Sequence, residues 1–173
     1  MFLLQMSGQP GSGKSILSKK IGEKTGAVVI DNDIIKSAIL ELAINEISGD
    51  IAGKLTYNIN FRLAENYVRQ NKSVIIDTPC RFQFIIERGK KICAEYGAKY
   101  KYIECRISNY EETEKRLKQR NKLPSQVDES AVVKENYGEW LGQAIFPEDE
   151  YITVETDQPI ENYLEKCLRY VNS

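Results

Sequence analysis

Short apolar runs and longer stretches, in which apolar residues recur every three or four positions, alternate along this chain. The short runs fall at Phe2–Met6, Ala27–Ile30, Val74–Ile76, Tyr100–Cys105 and Tyr151–Val154, and each reads as a strand. The periodic stretches predict helices over Lys14–Lys24, Ile34–Ile47, Ile51–Gln70, Phe82–Tyr96, Tyr110–Arg120, Glu129–Leu141 and Ile160–Val171. Ser108 and Asp157 are the expected N-caps of the helices that follow them. Strands alternating with helices imply a parallel sheet covered on both faces, an α/β fold of three layers. No internal repeat or low-complexity linker divides the chain, so one domain is expected over residues 1–173. In such folds ligands bind beyond the C-terminal ends of the strands.

The first of those ends carries the strongest chemical signal. Residues 8 to 15 read GQPGSGKS, which fits G-x-x-x-x-G-K-[ST] at Gly8, Gly13, Lys14 and Ser15. A loop wrapped around a phosphate turns its N–H groups inward, and the backbone angles this needs favour glycine. The helix beginning at Lys14 adds free N–H groups and the positive end of its dipole. Gly8, Gln9, Pro10, Gly11, Ser12, Gly13, Lys14 and Ser15 are therefore the expected nucleotide-phosphate cradle. Lys14 would reach the β- and γ-phosphates, and the Ser15 hydroxyl would ligate Mg²⁺.

Three further stretches bear on what happens to the phosphate. In VVIDNDIIK, Asp33 stands where the second strand turns into a helix, and Lys36 follows one turn later on the same face. Asp33 could be a helix cap. A cation in a first helical turn opposes the dipole, so Lys36 is poorly explained by structure alone. A carboxylate that takes a hydroxyl proton, beside a cation that holds an anionic acceptor, accounts for both. Asp31 would orient this loop or share the acceptor. In SVIIDTP, Asp77 ends an apolar strand in the form that serves Mg²⁺, although a turn into Pro79 is the plainer alternative. Thr78 is a candidate to bind the acceptor or Asp77.

Residues 111–124 read EETEKRLKQRNKLP, with Arg116 and Arg120 four apart on one helix face before a proline-closed loop. Charge runs of this kind are commonly solvated helix surface. Their position after the fourth strand instead suggests a lid, about residues 116–130, whose arginines stabilise a transferring phosphoryl group. Arg120 is the first choice and Arg116 the second. Tyr57, Phe61, Ala64 and Val68 form one helical stripe that reads as core. Asn58 and Arg62 flank it as weaker acceptor contacts, and Trp140 would either cap a pocket or pack the tail.

Composition narrows the chemistry. With 24 basic and 25 acidic side chains the net charge is −1, which gives no large nucleic-acid footprint. A small molecule, nucleoside or short nucleotide end is thus favoured over a long nucleic acid as the partner. Histidine is absent, so acid–base work falls to carboxylates, lysine or tyrosine. Cys80, Cys93, Cys105 and Cys167 lack C-x-x-C spacing and read as reduced thiols of a cytoplasmic protein. The opening residues have no charged region or cleavage site, so no secretory leader is expected, and no apolar stretch reaches the length of a membrane span. The two Asn-Lys pairs, at 71–72 and 121–122, lack the aspartate of a guanine-binding motif, which argues against a regulatory GTPase.

Taken together, GQPGSGKS, DNDIIK, VIIDTP and the RLKQR helix resemble the P-loop kinases related to polynucleotide 5′-hydroxyl kinase, zeta-type toxins and chloramphenicol phosphotransferase. The resemblance covers about residues 1–127, and the tail from Glu139 matches more loosely. It implies a five-stranded parallel sheet in order 2-3-1-4-5 and transfer of the γ-phosphate of ATP to a hydroxyl. In that group an Asp-x-x-Arg pair supplies the base and an acceptor clamp; here Asp33 matches the base, and Lys36 stands in place of the arginine. A point charge lacks the planar fork of a guanidinium, which weakens any inference of a phosphate on the acceptor. The alternatives are a nucleotide-binding ATPase or switch without transfer, and a 5′-hydroxyl polynucleotide kinase.

Overall fold

A computed structural model describes residues 1–43 and 46–173. The five apolar runs form β1 (Phe2–Ser7), β2 (Val28–Asp31), β3 (Val74–Asp77), β4 (Lys99–Arg106) and β5 (Ile152–Glu155). They assemble into one parallel sheet in the order β2-β3-β1-β4-β5, the order that the family resemblance implies. Connecting them are α1 (Lys14–Thr25), α2 (Asn32–Leu42), α3 (Gly49–Arg69), α4 (Gln83–Tyr96), α5 (Tyr110–Gln119), α6 (Tyr137–Gly142) and α7 (Glu161–Asn172).

Alternate residues of β1 feed the two halves of the core. Leu4 and Met6 pack with Leu17 and Ile21 of α1 and with Tyr163, Cys167 and Val171 of α7. On the opposite face, Leu3 joins Ile76, Phe61, Ala64 and Val68 of α3 and Ile85, Ile86 and Ile92 of α4. The result is the three-layer α/β/α arrangement that buries β1 on both faces, as a central parallel strand requires.

Several local expectations are corrected. The helix predicted over Glu129–Leu141 is broken into 3₁₀ turns at Glu129–Ala131 and Lys134–Asn136, followed by the short α6. The Asn136 side chain accepts from Val133 N–H and donates to the Ala131 carbonyl, bonds that compete with a continuous helix. Asn109, not Ser108, caps α5 by accepting from Glu112 N–H at 3.0 Å. Asp157 caps nothing: α7 starts only at Glu161, beyond Pro159, with no side-chain cap. The helix predicted to Ile47 ends as α2 at Leu42, and part of its remainder, residues 44–45, lies outside the described residues.

Candidate active site

The loop after β1 has the backbone that its glycines anticipate. Gly8, Gly11 and Gly13 all have positive φ, at 133°, 79° and 79°. At Gly8 a Cβ would stand 2.2 Å from the Cys105 carbonyl oxygen, so no other residue fits between β1 and β4. Gly13 closes the loop as the left-handed cap of α1, which opens at Lys14. The Lys14 ammonium donates to the Gln9 carbonyl at 3.1 Å and so folds over its own loop. Burial lowers its pKa, and the neighbouring Asp77 and Asp33 carboxylates oppose that shift. Gln9 and Ser12 point away from the loop's mouth. Gln9 Nε2 donates to the Ile107 carbonyl at 2.6 Å and to the Tyr137 hydroxyl at 3.3 Å, while Ser12 is buried outright.

Beside this loop β2 and β3 end in register, Asp31 opposite Asp77. Asp77 is buried, which pushes its carboxyl above the usual range, while Lys14, Ser15 and Ser18 hold it down. Its Oδ2 accepts from the Ser18 hydroxyl at 3.1 Å. A serine hydroxyl and a carboxylate are all-oxygen donors suited to a hard cation such as Mg²⁺. Ser15 and Asp77 would hold it, and it would supply charge neutralisation for bound phosphates.

The two aspartates of DNDIIK divide their work. Asp31 is the N-cap of α2, its Oδ1 accepting from Asp33 N–H at 2.9 Å and Ile34 N–H at 3.4 Å. Asp33 is thereby released from capping, and its side chain faces a cleft of about 1110 Å³. Lys36 lines the same cleft, as do Gly8, Lys14, Ser15 and Asp77. The segment after α5 folds back over Asp33: Gln126 Nε2 donates to Asp33 Oδ2 at 3.0 Å and the Ser125 hydroxyl to the Asp33 carbonyl at 2.9 Å. Ser37 of α2 completes this latch, donating to Ser125 Oγ at 2.9 Å.

Both lid arginines line the cleft. Arg116 is braced by Glu112 at 2.9 Å and by the Thr156 carbonyl at 2.7 Å, and its guanidinium lies next to Gly13. Arg120 ends α5 and donates to the Val127 carbonyl within the lid loop. Arg116 is therefore the one set against the phosphate loop, and Arg120 the one set in the lid.

Three expected acceptor contacts lie elsewhere. Arg62 is an exposed residue of α3 paired with Glu65 at 3.8 Å, outside the cleft, because it sits on the solvent side of the helix. Thr78 is buried behind the wall rather than in it. Asn58, on the same solvent side, accepts from Arg88 at 3.2 Å. The Tyr57 stripe divides as well: Phe61, Ala64 and Val68 are core, whereas the Tyr57 ring reaches the cleft.

Sequence reasoning passed over Arg81, which lines the cleft between Lys14 and Tyr57. Burial lowers its pKa, its guanidinium lies 4.8 Å from the Trp140 ring centroid, and no carboxylate pairs with it among the described residues. The available signal was its place in the loop four residues past Asp77. Phe82, Phe84, Ser125 and Gln126, also cleft residues, were missed for want of any motif.

The AAA domain family matches residues 3–137. No curated protein matches the sequence significantly. Among solved structures, a protein from Chloroflexus aurantiacus j-10-fl, described provisionally as a kinase, is similar at 15% identity and TM-score 0.76, covering 98% of this chain and 97% of that one. A sugar kinase from Janibacter sp. HTCC2649 is similar at 14% identity and TM-score 0.69, covering 99% and 95%. APS kinase from Mycobacterium tuberculosis, solved with AMPPNP and APS, is similar at 15% identity and TM-score 0.64, covering 99% and 98%. These likenesses extend the α/β P-loop fold over nearly the whole chain, and nucleotide binding is what that loop implies. By the extent of the family match, the chain belongs to the AAA domain family of P-loop proteins.

Proposed function

We propose that the protein transfers the γ-phosphate of ATP to a hydroxyl group of a small acceptor. The observation that carries this reading is the division between Asp31 and Asp33: the cap is already filled, so a second carboxylate is left facing the phosphate loop. The kinases among the structural neighbours agree with it through their fold.

In this reading the phosphates of ATP lie on the loop amides and on Lys14. The nucleoside runs toward Thr156, Gln158 and Ile160, and the γ-phosphate toward β3, where Asp77, Asp33 and Arg81 gather. Asp33, held by Gln126, orients the acceptor hydroxyl and takes its proton. As the acceptor oxygen bonds to the γ-phosphorus, the bond to the β–γ bridging oxygen breaks and ADP leaves. Arg81 and Arg116 stabilise the charge on the phosphoryl group in flight, one from each flank. Lys36 holds an anionic part of the acceptor. Because the net charge is −1, the acceptor is small rather than a long nucleic acid.

The test is ADP release from MgATP, measured alone and with a panel of hydroxyl acceptors. Stimulation by one acceptor class supports the reading, and Lys14→Ala should abolish it and greatly weaken ATP binding with the fold intact. Acceptor-independent turnover across the whole panel would favour an ATPase or switch, and unchanged turnover in Lys14→Ala would remove the phosphate loop from the account.

A further inference from the structure

The acceptor flank of the cleft is walled by aromatic rings. Phe82 and Phe84 stack on each other with centroids 5.7 Å apart and planes 20° apart. Tyr57 meets both edge-on, at 6.0 Å and 87° to Phe82 and at 5.7 Å and 90° to Phe84. All three line the cleft that holds Asp33 and Arg81, yet Phe82 is 49% and Phe84 43% exposed. Rings that merely pinned α4 against α3 would be expected to bury their faces, as Phe61 does one turn further along α3 at 1%. Half-open rings, braced by a third and set at the mouth of a polar site, form a platform for a flat apolar group.

Charge sets the other end of the ligand. Arg81 directly precedes Phe82 and lies near both Tyr57 and Lys14, so it links the ring wall to the phosphate loop. Burial raises the pKa of the Tyr57 phenol, whose hydroxyl is turned to Thr78 and so fixes the ring against the other two. A flexible polyol or sugar acid would leave the three rings in contact with nothing they favour. A hydroxyl compound carrying a planar ring would cover them and still bring its hydroxyl to Asp33.

Resting on the reading of this flank as the acceptor side, we infer that the acceptor carries a planar aromatic ring, of the size of a nucleobase or a substituted phenyl group, stacked on Phe82 and Phe84. The test is direct binding to the full chain, by calorimetry, with the nucleotide side saturated by AMPPNP and Mg²⁺ so that no ring can enter there. The probes are adenosine, uridine and 2-phenylethanol, against ribose, gluconate and glycerol. At least one aromatic probe should bind more tightly than every non-aromatic one. The double variant Phe82→Ala/Phe84→Ala should weaken it roughly 10-fold or more, as loss of ring stacking does. Phe84→Trp should retain binding, which separates stacking from damage to the fold. Preference for non-aromatic probes, binding of none of the aromatic probes, or binding unmoved in the double variant would overturn the inference. If an aromatic probe binds as expected but accepts no phosphate from ATP, the ring site stands and the transfer reading fails; if non-aromatic compounds alone are phosphorylated, the reverse holds.

Discussion

Asp31 and Asp33 stand two positions apart in sequence, yet one caps α2 and the other lines the cleft. An aspartate at a strand-to-helix junction is a cap or a reactive group, and sequence alone left both roles open for Asp33. The structure assigns the cap to Asp31, because α2 begins at Asn32, two residues earlier than the hydrophobic pattern suggested. The two substitutions should therefore part company. Asp31→Ala loses two bonds to the first turn of α2 and should cost about 1 kcal/mol in denaturant unfolding. Asp33→Asn keeps the fold and nucleotide affinity but should lower transfer by about two orders of magnitude. Equal stability of Asp31→Ala and the wild type would contradict the division. Arg81, by contrast, was barely legible: its place four residues past Asp77 was the available signal, and its burial beside Lys14 and Tyr57 comes from folding.

Among the elements, the phosphate loop was the most legible and the segment after α5 the least. The positive φ angles of the loop are a local demand, so glycine spacing reports them. Gly8→Ala should disrupt the β1–α1 junction, since its Cβ would collide with the Cys105 carbonyl at a φ of 133°. In Gly53→Ala of α3 a Cβ meets nothing within 4 Å and should stabilise by about 0.5–1 kcal/mol, through lower chain entropy in the unfolded state. Thermal unfolding of the pair tests this; shifts of opposite sign are expected, and a stable Gly8→Ala would refute the close approach. The lid was legible only as a charged helix before a proline. Its latch onto α2, through Ser125 and Gln126, depends on residues 88 to 93 positions away from their partners, where periodicity says nothing.

For the molecule as a whole, a parallel sheet with a two-sided core followed from alternating apolar runs and helices, whereas the strand order was legible only through the family resemblance. The same burial sets its response to alkali. Cys80 is pushed up to about 12, and Cys93 and Cys167 to about 11, from an ordinary 9.0. Above pH 9 the unfolded chain loses thiol protons that the folded chain retains, so stability falls as pH rises from about 9 towards 12 and is unaffected by these groups below about 9. Denaturant midpoints at about pH 8 and about pH 10 should show that fall, and thiol reagents should react fully only on unfolding; rapid modification of all four in the native protein would contradict the buried assignment. The three layers also bring the phosphate loop, the capped aspartate turn and the lid to one edge of the sheet, which is what makes transfer, rather than binding alone, the central claim. Its most direct test follows label from [γ-³²P]ATP onto a hydroxyl acceptor, in wild type and in Asp33→Asn. The account predicts a labelled acceptor formed one for one with ADP, and about a hundredfold less of it in the variant at unchanged ATP affinity. Label released only as inorganic phosphate, or full transfer by Asp33→Asn, would contradict it.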